Sequence, residues 1–383
     1  MKSDFRILLA PDSFKGSLRS VEVCRYLKNG LSRADPNFRI TELPLADGGE
    51  GTVQALVEAS GGRYCQVSVH DPLMRLVEAQ YGLIHDDQVA VIEMAAASGL
   101  ELLDRSEYNP VITTTFGTGE LIMDALDKGC KKFIVGIGGS ATNDGGAGML
   151  ECLGVKLLSD SGRAPGKGGG DLNLLSWVDF STLDDRIQDC SFQIACDVTN
   201  PLTGPEGATY VYGPQKGAGE KELAILENGL SNWGSVLEKA MGRDIIHVPG
   251  AGAAGGLGAG FLSFPNVEIK SGFDIIQQAI ELESRVINSD LIITGEGRVD
   301  SQTIYGKVVS GVGRLGKKHQ KPVVCLAGTL GADSQKLIEY GITALFSIVN
   351  GPISLEEAIE MTPLLLENSG VSLGNLIAAL SKS

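Results

Sequence analysis

The stretch Phe5-Arg-Ile-Leu-Leu-Ala-Pro-Asp-Ser-Phe-Lys-Gly-Ser-Leu18 decides the fold. Its apolar opening predicts a buried strand over 5–10. Leu18, Val21, Cys24, Leu27 and Leu31 then recur at roughly helical spacing, which predicts a helix over 17–31. A strand over 38–43 and a helix over 51–60 complete a β-α-β-α unit. The same rhythm returns beyond residue 285. There 291–294, 323–327 and 344–349 read as strands, with helices around 307–318 and 334–340 and helical segments over 354–361 and 363–380. Continuous apolar strands alternating with helices point to a parallel sheet covered on both faces.

The middle of the chain reads differently. From Tyr64 to Met94 short runs alternate apolar and polar residues between turn signals, the pattern of antiparallel strands. Helices over 119–128, 145–153 and 221–241 and strands over 132–137 and 193–197 follow, with a Gly/Ser/Pro-rich loop or lid over 159–171. The expected architecture is α/β with two domains. Residues 1–62 and 285–383 form a parallel, doubly wound, Rossmann-like domain, and residues 63–284 an inserted α/β domain with a mixed sheet. The cleft between two such domains is the default ligand site.

Composition excludes several classes. The chain has 383 residues, 43% hydrophobic and 21% charged, and its longest apolar runs are too short for a bilayer. Met1-Lys-Ser-Asp leads straight into the first strand with no secretory pattern, so a cytoplasmic location is expected. A net charge of −15 argues against binding nucleic acid or an anionic membrane, though local amides, lysines and Mg²⁺ can still hold one nucleotide. Seven scattered cysteines without a C-x-x-C pair read as reduced thiols.

Three clusters of glycine and acid follow predicted strands: Pro44-Leu-Ala-Asp-Gly-Gly-Glu-Gly51, Gly136-Ile-Gly-Gly-Ser-Ala-Thr-Asn-Asp-Gly-Gly146 and Gly295-Glu-Gly-Arg-Val-Asp-Ser-Gln302. Open α/β sheets bind ligands at such strand ends. Glycine lets amides approach an oxyanion, and carboxylates suit a hard cation or a hydroxyl losing its proton. In the opening stretch, Asp12, Ser13, Lys15 and Ser17 would ring a helix N-terminus, an anion seat. Asp47 or Glu50 would bind Mg²⁺ or accept a proton. Gly138, Gly139, Ser140, Thr142 and Asn143 form a phosphate cradle beside the cation ligand Asp144. Glu296, Asp300 and Lys307 repeat that set as metal, base and phosphate partner, while Asp197 is a further strand-end carboxylate. Two weaker patterns are set aside. Gly250-Ala-Gly-Ala-Ala-Gly255 fits a dinucleotide fingerprint with only a short run before it, and Gly162-Arg-Ala-Pro-Gly-Lys167 falls one residue short of a P-loop.

Taken in order, Ala10-Pro-Asp-Ser-Phe-Lys-Gly-Ser-Leu18, Ala46-Asp-Gly-Gly-Glu-Gly-Thr52, Glu93-Met-Ala-Ala-Ala-Ser-Gly-Leu100, Thr115-Phe-Gly-Thr-Gly-Glu-Leu121, the 138–146 cluster, Cys196-Asp-Val-Thr-Asn-Pro-Leu202, Gly213-Pro-Gln-Lys-Gly-Ala218 and the 295–302 cluster resemble the bacterial type I glycerate kinases. The resemblance implies a two-domain α/β enzyme that phosphorylates D-glycerate with ATP, usually at the 2-hydroxyl. It leaves residue roles to chemistry. Lys15 and the amides near Gly138 would hold phosphate or the glycerate carboxylate. One or more of Asp144, Asp197 and Glu296 would place Mg²⁺, and Asp47 or Asp300 would accept the proton. A 3-phosphoglycerate product, a dehydrogenase using the Gly250 run and a non-catalytic sugar-acid sensor are the alternatives, and a homodimer is left open.

Overall fold

The computed structural model describes residues 5–162, 166–304 and 308–380, apart from the side chain of Gln302. It divides the chain into two compact units, residues 1–47 with 54–61 and 273–383, and residues 48–53 with 62–272. The change back to the first unit thus falls at Phe273, ahead of the expected 285. Among the described residues no helix is long and apolar enough to cross a membrane.

In the first unit five strands pair in parallel throughout. In chain order they are Arg6–Leu9, Arg39–Glu42, Leu291–Val299, Val323–Leu330 and Ala344–Ser347. Their order across the sheet is 2-1-3-4-5, so the doubly wound expectation holds in its flavodoxin-like form. The order reverses between the first and third strands, and it is outside the strand C-termini at such a point that sheets of this kind bind ligands. Ile7, Leu9 and Ile293 pack with Val23, Leu27 and Leu31 of the Ser20–Ala34 helix and Leu365, Leu366 and Leu373 of the Leu355–Leu380 helix. Leu8 and Ile292 alternate with them and are as deeply buried, which explains why these strands read as continuous apolar runs. The two helices touch through Gly30. A Cβ there would run into the Glu367 carbonyl and the Gly370 backbone.

Two boundaries differ from expectation. The first helix begins at Ser20, because residues 14–18 form a tight turn with Leu18 N–H donating to the Phe14 carbonyl, and the Glu22 carboxylate accepts from the Arg19 N–H. Lys15 therefore lies in the turn and not at the helix N-terminus. At the other end a single helix runs through Pro363, where two segments were expected. Proline removes the N–H that would have reached the Ile359 carbonyl, and the Ser17 hydroxyl donates to that carbonyl instead, at 3.0 Å.

The second unit is built on a six-stranded sheet in chain order. Arg63–His70, Leu76–Ile84 and Val89–Glu93 form the antiparallel meander, and Lys132–Gly136, Ser191–Ala195 and Val267–Lys270 continue it in parallel. This is the mixed sheet expected. Its core includes Phe133 stacked on Phe192 at 4.6 Å, with Phe264 tilted against Phe192. A separate hairpin, Lys156–Ser159 with Leu175–Asp179, flanks the stretch 159–171 expected as a loop or lid, within which Arg163, Ala164 and Pro165 fall outside the described residues.

Candidate functional site

In the first unit the strand ladder continues past the strands themselves. The Asp12 N–H donates to the Gly295 carbonyl at 2.8 Å, the Thr294 hydroxyl donates to the Ala10 carbonyl at 2.8 Å, and the Leu45 N–H donates to the Pro11 carbonyl at 2.9 Å. This extension carries Asp12, Asp47 and Glu296 to one edge, at the switch point. The result is electrostatic crowding. The Asp12 carboxyl is pushed up to about 7, first by burial and then by the negative charges of Asp47 and Glu296, although the Ser13 N–H donates to it at 2.6 Å. Glu296 is buried and accepts from the Thr303 hydroxyl. Gly297 lets the turn pass close by, since a Cβ there would press on the backbone of Phe14 and Lys15.

Asp300 pairs with the exposed Arg298 at 3.0 Å, and its N–H donates to the Thr303 hydroxyl at 3.1 Å. Lys15 is exposed, and Lys307 lies outside the described residues.

In the second unit the 138–146 loop leaves the Lys132–Gly136 strand and folds inward. Gly138 and Gly139 are exposed, whereas Ser140, Thr142, Asn143 and Asp144 are buried. Asp144 accepts from the Thr115 N–H at 2.8 Å, the Thr115 hydroxyl at 2.9 Å, the Gly146 and Gly148 N–H groups at 3.2 Å each and the Thr114 hydroxyl at 3.3 Å. Burial raises its carboxyl above the ordinary range and these donors pull the other way. A carboxylate so enclosed organises a loop, with four of its five contacts on Oδ2 and the Gly146 N–H on Oδ1. It is fully buried, unlike the half-buried Asp12 and Asp47 of the first unit. Asn143 likewise donates to the Thr209 hydroxyl at 3.1 Å, while its buried Oδ1 has no hydrogen-bond partner among the described residues. Of the residues expected to form a cradle, Gly138 and Gly139 are exposed at the tip and Ser140, Thr142 and Asn143 are buried beneath it.

Beneath that tip lies a residue the sequence reading quoted but did not single out. Lys216, in the short Pro214–Lys216 turn, is 1% exposed, and its Nζ donates to the Thr142 carbonyl at 2.6 Å and the Ser140 hydroxyl at 3.0 Å. The signal was a lysine between glycines in Gly213-Pro-Gln-Lys-Gly-Ala218. Glu93, at the end of its strand, was also passed over; it is held above its ordinary range chiefly by burial and accepts from the Val53 N–H at 2.8 Å. Asp197, at the end of the adjacent parallel strand but one, accepts from the Gly272 N–H at 3.0 Å.

The Gly250 run does not form a dinucleotide turn. It enters the kinked Ala253–Leu262 helix, where Ala254, Gly255 and Gly256 are left-handed, and a Cβ on Gly255 would strike the Thr142 carbonyl. Among the described residues no strand precedes it within 40 positions, and it packs under the 138–146 loop.

The glycerate kinase family model matches residues 7–378. The chain is 50% identical to a glycerate kinase of Bacillus subtilis over 93% of both proteins. It is 48% identical to a glycerate 2-kinase of Escherichia coli over 92% of this chain and 93% of that one. Among solved structures, a putative glycerate kinase 2 of Salmonella typhimurium superposes with a TM-score of 0.90 at 43% identity, covering 99% of this chain and all of that one.

Proposed function

This chain belongs to the glycerate kinase family and is a kinase, and from that premise we propose that it transfers the γ-phosphoryl group of ATP to the 2-hydroxyl of D-glycerate with the help of Mg²⁺. The observation that carries the site assignment is the crowding of Asp12 by Asp47 and Glu296 at the switch point of the first unit's sheet. A carboxyl held near neutrality is suited to take a proton at the pH at which such an enzyme works.

The donor set fits a hard divalent cation. Asp47 and Glu296 offer oxygen ligands, and their like charge is what a cation would relieve. When bound, Mg²⁺ would neutralise charge on the β- and γ-phosphates. Asp12 accepts the proton of the attacking hydroxyl as its oxygen bonds to the γ-phosphorus and the bond to ADP breaks. Lys15, exposed on the turn beside Gly297, supplies a mobile positive charge to a phosphate. In the second unit the exposed Gly138 and Gly139 offer backbone to an anionic group of a substrate. The reading places the enzyme in the cytoplasm, where ATP and glycerate meet.

The name of the 48% identical relative, glycerate 2-kinase, supports the 2-hydroxyl as acceptor. Incubation of the purified protein with D-glycerate, ATP and Mg²⁺, read by ³¹P NMR, tests both points. A 2-phosphoglycerate signal is expected. A 3-phosphoglycerate signal would reverse the pose of the substrate, and no product from folded protein would overturn the reading.

A further inference from the structure

Lys216 is a buried cation with neutral partners. Its two hydrogen bonds go to a hydroxyl and a backbone carbonyl, and among the described residues no carboxylate forms an ion pair with it. The charges around it are committed elsewhere or face solvent. Asp144, on the loop itself, is felt at the Nζ but forms no ion pair with it and accepts from the Thr114, Thr115, Gly146 and Gly148 donors. Tyr108, whose carbonyl lies against Gly217, follows Glu107, which pairs with Arg75. Tyr212 donates to Asn200, Tyr210 is exposed, and Glu220, Lys221 and Glu222 at the start of the next helix lie at or near the surface. Isolated buried charge is costly, and ordinarily a partner or loss of the proton relieves it.

The two atoms that Lys216 holds belong to the residues that follow the exposed tip. An anion resting on Gly138 and Gly139 would therefore bring the missing negative charge to the outer side of the structure that Lys216 supports from within. We propose that Lys216 is a positioning residue of the 138–142 loop, which shapes the loop through Ser140 and Thr142 and takes up a proton when an anionic substrate group binds at the tip.

The geometry agrees with the titration. Burial lowers the Lys216 ammonium to about 7, with Asp144 opposing that shift. Below that pH the proton is already present and binding is insensitive to pH. Above it, binding draws a proton from solution, and affinity falls by up to about tenfold per pH unit until the raised value of the complex is reached.

The inference rests on the proposed function only in requiring that a substrate anion bind at this tip. Titration calorimetry of D-glycerate, and separately of the β,γ-imido analogue of ATP with Mg²⁺, at pH 8 in buffers of differing ionisation enthalpy, measures the protons taken up. The wild-type protein is expected to take up protons with one of the two ligands. Lys216→Met should abolish that uptake and flatten the affinity between pH 7 and 9. Lys216→Arg, which keeps its charge throughout, should also abolish the uptake while retaining affinity better than the methionine variant. Asp12 titrates in the same range, so the decision lies in the comparison of variants. Undiminished uptake in either folded variant, or none in the wild type, would overturn the inference and leave the kinase reading intact. Failure of both ligands to bind would remove both.

Discussion

The two units treat buried charge in opposite ways. In the first, Asp12, Asp47 and Glu296 are gathered so that negative charges oppose one another, and Asp12 keeps its proton up to about 7. In the second, Asp144 is wrapped in donors, while the nearby cation, Lys216, is left with neutral partners and loses its proton near the same pH. A cluster short of positive charge is prepared for a cation, and a loop with an uncompensated ammonium below it is prepared for an anion. A kinase has to bind both. The difference also separates the carboxylates to which we assign chemistry from one that holds a loop, although all of them follow a strand.

The comparison can be broken most decisively in the first unit. Asp47→Asn and Glu296→Gln should each lower turnover by about 10²–10⁴ while the protein stays folded, as steady-state rates at saturating Mg²⁺ will show. Near-normal rates in both would leave the acidic edge without a catalytic role. In the second unit the loss should be in stability. Asp144→Ala strands buried N–H and hydroxyl donors and should cost about 3–5 kcal/mol in denaturant unfolding. A folded, stable Asp144→Ala enzyme that merely demanded more Mg²⁺ would make Asp144 a metal ligand.

Asp12→Asn should separate function from stability. The folded carboxyl titrates at about 7 and the unfolded one near 3.8, so between these values unfolding releases a proton and rising pH favours the unfolded chain. Above pH 7 the wild type bears the full penalty, which the amide avoids. In chelator-treated buffer at pH 8 the variant should be more stable by about 2–4 kcal/mol, an advantage that fades toward pH 4. Its turnover should nevertheless fall. The smallest effect belongs to the exposed ion pair: Arg298→Ala should change stability by less than about 1 kcal/mol, and Asp300→Asn should cost less than about tenfold in rate. A larger rate loss would return Asp300 to the role of base.

Much of the fold was legible because its signals are periodic. Strands buried on both faces appear as apolar runs, and the acids after them fall at the strand ends whichever order the sheet adopts. The direction in which a loop side chain points has no such period. Asp12 and Asp144 occupy similar motifs, yet the first turns to an edge beside two acids and the second turns inward to five donors, a distinction made by residues 114 and 115, far away in sequence. Lys216 was missed for the same reason, since nothing local marks a lysine as buried. The edge strand Val267–Lys270, half-buried and four residues long, carries too little contrast to be read. Pro363 suggested a break because the hydroxyl that replaces the lost N–H comes from Ser17, at the other end of the chain.

The strand order of the first unit also sets a timetable for synthesis. Its strand Arg6–Leu9 is made long before the rest of the sheet's centre. One neighbour, Leu291–Val299, and the covering helix Leu355–Leu380 emerge only after the whole second unit. All six strands of the second unit's main sheet lie between residues 63 and 270, so that unit can close while the first is still waiting. At ordinary translation speeds the wait is on the order of half a minute. During that time the apolar strand lacks its neighbour Leu291–Val299 and the helix that follows it lacks the Leu355–Leu380 helix, and nascent chains stalled before residue 290 should engage chaperones through residues 5–47.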